Sequence, residues 1–143
     1  MSKINETSKS YIAGIVDGEG CIGIWKREPT SKSYALKLKV KMNDYHSIKY
    51  IQKNFGGNIY ISSGFLRNGK KYNGFYSIEY ASTKAAHILK LILPYLKVKK
   101  QQAQVAIKFN KLKQKHPTSK VLAQCHQLHK KCKKLKTQFW IKK

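Results

Sequence analysis

Tyr11-Ile12-Ala13-Gly14-Ile15-Val16, running directly into Asp17-Gly18-Glu19-Gly20, is the stretch on which the fold of this 143-residue chain turns. Six apolar residues, preceded by Ser8 or Ser10 as candidate N-caps and followed by a glycine-rich acidic turn, predict a short helix ending near Gly18. A buried strand is the competing local reading. A helix that is apolar nearly all round packs one face on its own domain and leaves another for a second apolar partner. Gly14 and Gly18 lie four apart, and with Ala13 they form a flat strip that another helix can approach closely. That points to a helix pair, between subunits.

Beyond the acidic turn, Cys21 to Trp25 alternate as a strand does, and Lys26 to Ser33, with Pro29, read as an exposed loop. Leu36, Leu38, Val40 and Met42 then alternate with Lys37, Lys39 and Lys41. Such a strand has one apolar face and one cationic face. Lysines guarding a solvated sheet would look the same, but a basic sheet face that meets a groove fits the pattern better. Asp44 or Ser47 caps a helix carrying Ile48, Ile51 and Phe55, which Gly56-Gly57 ends. In a second hairpin, Ile59 and Ile61 alternate with Tyr60 and Ser62, Asn68-Gly69 signals the turn, and the return strand runs from about Tyr72 to Tyr80. Ser82 or Thr83 caps the next helix, with Ala85, Ile88, Leu89 and Ile92, which stops at Pro94. Val98 to Leu112 mark another helix, and Pro117 precedes a last one. The order is helix, hairpin, helix, hairpin, helix, then helical additions: one α+β domain over 1–143, its core at about 8–110 and a helical extension at about 111–143.

Composition narrows the function. Thirty Lys and Arg against six Asp and Glu leave a net charge of +24 and a pI near 10.1, a surface suited to a polyanion. No carboxylate follows Glu79. No run of 18 apolar residues suits a membrane span, and the first ten residues lack the apolar stretch of a signal peptide. Cys21, Cys125 and Cys132 are an odd number without framework spacing, as expected for free thiols in a reducing, intracellular setting. Cys125, His129 and Cys132 share one face of the final helix, but a single helix cannot wrap four ligands tetrahedrally round zinc, so core thiols beside surface histidines are expected there.

Against this charge the acidic turn stands out. Asp17 and Glu19 sit where the helix ends, an unfavourable place for negative charge, and they repel the polyanion that the rest attracts. A divalent cation resolves the conflict; the alternative is that Asp17 caps or hydrogen-bonds the turn while Glu19 is merely exposed. Carboxylate and backbone carbonyl oxygens suit magnesium, which can polarise a phosphoryl oxygen and generate a hydroxide nucleophile.

Ile12-Ala13-Gly14-Ile15-Val16-Asp17-Gly18-Glu19-Gly20 resembles the signature of LAGLIDADG homing endonucleases. The element order is similar to that family's αββαββα domain, and Pro94-Tyr95-Leu96-Lys97-Val98-Lys99 with Gln102 is similar to its later proline, aromatic and lysine segment. The resemblance implies that Glu19, in place of the commoner Asp, is the catalytic metal ligand, with the Gly18 carbonyl beside it and Asp17 supporting the turn. It implies that Lys99 is the active-site lysine and that a polar residue ends the second strand. The alignment there offers Met42 or Asn43, so Asn43 is the candidate, with His46 a weaker one. The cofactor implied is Mg2+, for which Mn2+ or Ca2+ can stand.

A single signature implies a homodimer, paired through Ile12, Ala13, Gly14 and Val16, that makes double-strand breaks in a near-palindromic DNA target. The four-stranded sheet would lie in the major groove and present Trp25, Arg27, Lys37, Lys39, Lys41, Asn58, Tyr60 and Ser62 to double-stranded DNA. Two alternatives share the fold: a maturase for the RNA of an encoding intron, and a DNA-binding protein that does not cleave.

Overall fold

The apolar run is helical, and the helix is longer than its sequence suggested. The computed structural model describes residues 3–26, 28–30, 33–113 and 119–137. Helix α1 spans Glu6–Glu19 and is capped by Asn5, whose side chain accepts from the Ser8 amide at 2.8 Å. Ser8 and Ser10 are therefore internal, and the Ser8 hydroxyl lies 2.6 Å from that of Tyr50. Strands β1 (Gly20–Lys26) and β2 (Tyr34–Met42) pair antiparallel with Ile22 opposite Leu38 and Ile24 opposite Leu36. Paired residues share a face, so Leu36, Leu38 and Val40 join Ile22 and Ile24 in the core while Lys37, Lys39 and Lys41 turn the other way.

Helix α2 (Tyr45–Phe55) is capped by Asp44, which accepts from the Ser47 amide at 3.0 Å, and it ends on Gly56 at φ 75°, a conformation that favours glycine. The second hairpin departs from the expected single return strand. Strand β3 (Ile59–Ser62) is followed by a separate ladder, β4 (Phe65–Arg67) and β5 (Lys70–Tyr72), and only then by β6 (Phe75–Ala81). Asn68-Gly69 turns that small ladder, both residues at positive φ, as a two-residue hairpin turn requires. Gly64 and Gly74 separate it from the main sheet: there the backbones touch, and a Cβ on Gly74 would sit 2.5 Å from the Ser62 carbonyl. The main sheet has the order β1-β2-β6-β3, with Ile78 and Tyr80 facing inward.

Helix α3 (Ser82–Ile92) buries Ala85, Ile88, Leu89 and Ile92 at helical spacing, but neither Ser82 nor Thr83 caps it; Ala81 precedes it without a side-chain bond. A 3-10 turn at Leu93–Tyr95, containing Pro94, leads toward α4 (Lys100–Lys113) and α5 (Ser119–Thr137). Pro117 lies outside the described residues. Cys125, Cys132 and Leu135 of α5 are buried in the same apolar cluster as Phe109 and Ile22, so the last helix completes the core.

The histidines of α5 are not plain surface groups. β1 is an edge strand, and α5 closes it: the Cys132 thiol donates to the Ile22 carbonyl at 3.8 Å, and His129 Nδ1 meets the Ile24 carbonyl. The Tyr34 hydroxyl lies 2.5 Å from His126 Nδ1.

One expectation about α1 is corrected. Ile12, Ala13 and Val16 are at most 1% exposed and pack inside their own chain, so of the four residues expected at a subunit seam only Gly14 is at the surface. The periodicity explains this: α1 sits over the sheet, and the face it leaves to solvent carries Tyr11, Gly14 and Gly18.

Candidate active site and nucleic-acid interface

The end of α1 is fixed by a reciprocal clamp. The Asp17 carboxylate accepts three backbone N–H groups from the segment after α3: Lys97 at 2.8 Å, Val98 at 3.2 Å and Lys99 at 2.9 Å. In return, Lys99 Nζ donates to the carbonyls of Val16 at 2.9 Å, Asp17 at 3.0 Å and Gly20 at 2.6 Å. A helix end leaves its last four carbonyls without intrahelical donors, and a lysine there satisfies them and complements the dipole. Burial pulls the Lys99 ammonium below its usual pKa, against the attraction of Asp17. The bonds of this lysine pass over Gly18 and Glu19. Lys99 was expected as an active-site group; in the free chain its ammonium is committed to holding the turn.

The clamp leaves Glu19 exposed at an open concavity that it lines with Cys21, Lys39, Lys41, Asn43 and Asp44. Glu19 and Asn43 are thus brought together by the ends of α1 and β2. Lys99 lies in the adjoining hollow with Asp17, Gln102 and Lys136, and Cys21 borders both. Asp44 was read only as a helix cap. It is that, and the Ser47 hydroxyl and amide hold its carboxyl below the usual range, but it also adds a second carboxylate to the concavity. Its position next to Asn43 was the signal available. His46 is exposed on α2 and does not line this concavity.

Among the described residues no group of three His, Cys, Asp or Glu side chains could enclose a metal ion. One chain offers instead an exposed carboxylate on Glu19 beside Gly18, where an added Cβ would meet nothing within 4 Å. Hard oxygen donors in an open setting fit magnesium, which binds through one or two carboxylates and takes its other ligands from water and phosphate.

The outer face of the sheet is ordered in rows by the strand register. Cys21, Lys39 and Glu79 form one row, Gly23, Lys37 and Ala81 the next, and Lys41, Ser77 and Tyr60 a third. Lys41 Nζ lies 3.8 Å from the centre of the Phe75 ring, a cation–π contact that orients it. Glu79, which the sequence reading passed over, holds Lys37 at 3.0 Å and Lys39 at 3.9 Å. The Trp25 ring lies over Gly23 with Lys136 Nζ 4.4 Å from its centre. Tyr60 is 59% exposed and Ser62 half-buried on β3, with Asn58 exposed just before it. Arg27 lies outside the described residues.

A helix ending in a clamped Asp-Gly-Glu turn above a cationic four-stranded sheet is the arrangement that the sequence resemblance implied. Residues 12–116 match the family described as LAGLIDADG endonuclease, well over half of the chain. The chain belongs to that family. Among solved structures, it is similar to the homing endonuclease I-CvuI in complex with the I-CreI target in the presence of Mg, at 26% identity and TM-score 0.72, over 91% of this chain and 82% of that one. The fold is shared with the archaeal intron-encoded homing endonuclease I-Vdi141I complexed with DNA, at 16% identity and TM-score 0.70, over 91% and 84%. It is also shared with I-SmaMI bound to uncleaved DNA in the presence of calcium ions, at 20% identity and TM-score 0.63, where 97% of this chain accounts for 50% of that one. The LAGLIDADG fold expected from the sequence is thus observed, with its four-stranded antiparallel sheet and C-terminal helices.

Proposed function

We propose that this LAGLIDADG protein is a site-specific DNA endonuclease that acts as a homodimer and makes metal-dependent double-strand breaks in a long, near-palindromic target. The observation that carries the reading is the Asp17–Lys99 clamp, which spends two charged side chains on presenting a third, Glu19, at the rim of a lysine-lined concavity. Helix stability does not account for an exposed glutamate at a helix C-terminus, where the macrodipole disfavours negative charge. Glu19 and the Gly18 carbonyl would hold a divalent cation, which supplies Lewis-acid polarisation of a phosphate and an acidified water. Asn43 lines the same concavity, where its amide can bind and orient solvent. Lys39 and Lys41 neutralise phosphate, and the rows of the sheet face the bases, with Tyr60, Ser62 and Trp25 at their ends.

Two observations support two copies. The chain has a single acidic turn, and it covers 82% of I-CvuI. The exposed Gly14–Gly18 strip of α1 gives a second copy a surface without side chains to approach, which would bring two Glu19 carboxylates near a shared axis. A protein that only binds DNA or intron RNA could lose Glu19 freely, so its presence at that rim favours retained nuclease chemistry.

Glu19→Gln tests the reading. The variant is expected to bind a target duplex with wild-type affinity and leave it intact in magnesium. Magnesium-dependent cleavage at the wild-type rate would remove Glu19 from the chemistry.

A further inference from the structure

Helix α5 lies beyond the stretch that matches the family and reaches the site described above through Lys136, which lines the hollow beside Lys99. Its seating is nonetheless specific. His129 and Cys132 meet the carbonyls of Ile24 and Ile22 on the open edge of β1, so the helix follows that edge in the opposite chain direction. One turn beyond Cys132, Lys136 crosses the edge: its Nζ lies 3.4 Å from Cys21 Sγ and over the Trp25 ring, both on the sheet's outer face. On the other flank, Leu128, Lys131 and Leu135 line a groove against α4 with Val105 and Lys108. At about 3.6 residues per turn, Lys130, Lys133 and Lys136 fall on the flank away from that groove. Lys130 and Lys133 are exposed, and α5 itself carries no carboxylate side chain. Helix-dipole compensation explains lysines in the last turn but not Lys130, nor a Lys136 that reaches across a strand edge onto the outer face.

Resting on the reading that the sheet binds duplex DNA, we propose that α5 is a phosphate-contacting rail: Lys130 and Lys133 grip the sugar–phosphate backbone beside the sheet, while Lys136 braces Trp25 at the rim. Side chains on a flanking helix reach phosphates, whereas base edges are left to the sheet, so the rail adds affinity and sets position without reading sequence. Its signature is electrostatic. Each phosphate contact contributes about 0.9 to the slope of log affinity against log salt.

The test compares two double variants that lose the same charge, Lys130→Gln/Lys133→Gln from the outer flank of α5 and Lys108→Gln/Lys131→Gln from the groove between α4 and α5. Binding to a short duplex of arbitrary sequence is titrated with salt, and cleavage of a randomised library is profiled alongside. The first variant is expected to flatten the slope by about 1.8 for each protomer bound, or about 3.6 for a bound pair, with the cleavage profile unchanged. The second is expected to keep the wild-type slope. Equal flattening by both would reduce α5 to diffuse charge, and an unchanged slope in the first would remove the rail. Loss of binding to structured RNA with duplex binding intact would likewise overturn it. Lys130→Arg/Lys133→Arg, which keeps the charge, should restore the slope; matched thermal melts separate contact from unfolding. Failure of the underlying reading shows itself differently, as a wild-type protein without salt-sensitive duplex binding.

Discussion

Asp17→Asn and Glu19→Gln each exchange a carboxylate for its isosteric amide, two residues apart, and should produce opposite signatures. Asp17 receives three backbone N–H groups, and hydrogen bonds to a charged partner contribute about 1.5–3 kcal/mol each against about 1 for neutral ones. An asparagine can keep its oxygen toward Val98 and Lys99, which weakens two bonds to the neutral value. Its amide nitrogen then faces the Lys97 N–H, and the third bond is lost. Removing negative charge from a helix C-terminus returns about 0.5 kcal/mol, and the half-buried setting screens part of the charge contribution. The net loss is about 2–3 kcal/mol, which for a chain of this size lowers Tm by about 5–10 °C. Glu19 is exposed at a helix C-terminus, so Glu19→Gln should melt with the wild type or slightly above it while losing cleavage. Calorimetric melts and a plasmid-cutting assay, run well below both transitions, separate the two effects. An Asp17→Asn protein that melts within a degree of wild type would show that the clamp does not hold the turn.

The exposed face of α1 gives a second test. An added Cβ at Gly14 meets nothing within 4 Å, and Gly14→Gln gains about 0.5–1 kcal/mol of helix propensity, so the monomer should be slightly stabilised while sedimentation shows the dimer lost; a persistent dimer would place the seam elsewhere. Burial raises the Tyr80 hydroxyl well above its ordinary pKa of 10.0, so above that pH the unfolded chain gives up a proton that the folded chain keeps, and stability falls as pH rises. Tyr80→Phe should lack this alkaline slope, although it loses the bond to the Gly56 carbonyl at 2.7 Å; parallel denaturant titrations at pH 9 and above would show it. Lys99 acts in the opposite direction: with its folded pKa lowered, the interval just below 10.5 favours the folded state as pH rises, and Lys99→Met should remove that gain. Chelation with EDTA should stop cleavage and magnesium restore it, with calcium supporting binding alone; cutting in chelator would refute the metal's role.

What could be read from the sequence, and what could not, follows from the range of the forces involved. The alternation of Leu36 to Met42 with lysine fixes both faces of β2, because side-chain direction in a strand is a local property with a period of two. The helix end at the acidic turn was equally legible, since glycine and charge mark it locally. Cap identity was less secure: Asn5, Ser8 and Ser10 have similar local chemistry, and the burial of Ser8 against Tyr50, 42 residues away, decides which stays inside the helix. The extra β4–β5 ladder escaped because Gly74 falls inside the expected return strand, and the close backbone approach of Gly64 and Gly74 exists only once the strands have paired. The largest misreading, of which side of α1 is free, has the same origin. An all-round apolar helix shows that two surfaces exist but not which is the core, and the sheet chose Ile12, Ala13 and Val16. Glu79 and Lys136 were passed over because a charge acquires its meaning from cross-strand and cross-element neighbours. Glu79 is a lone acid until β6 brings it against Lys37 and Lys39, and Lys136 is one lysine among many until α5 seals the edge of β1.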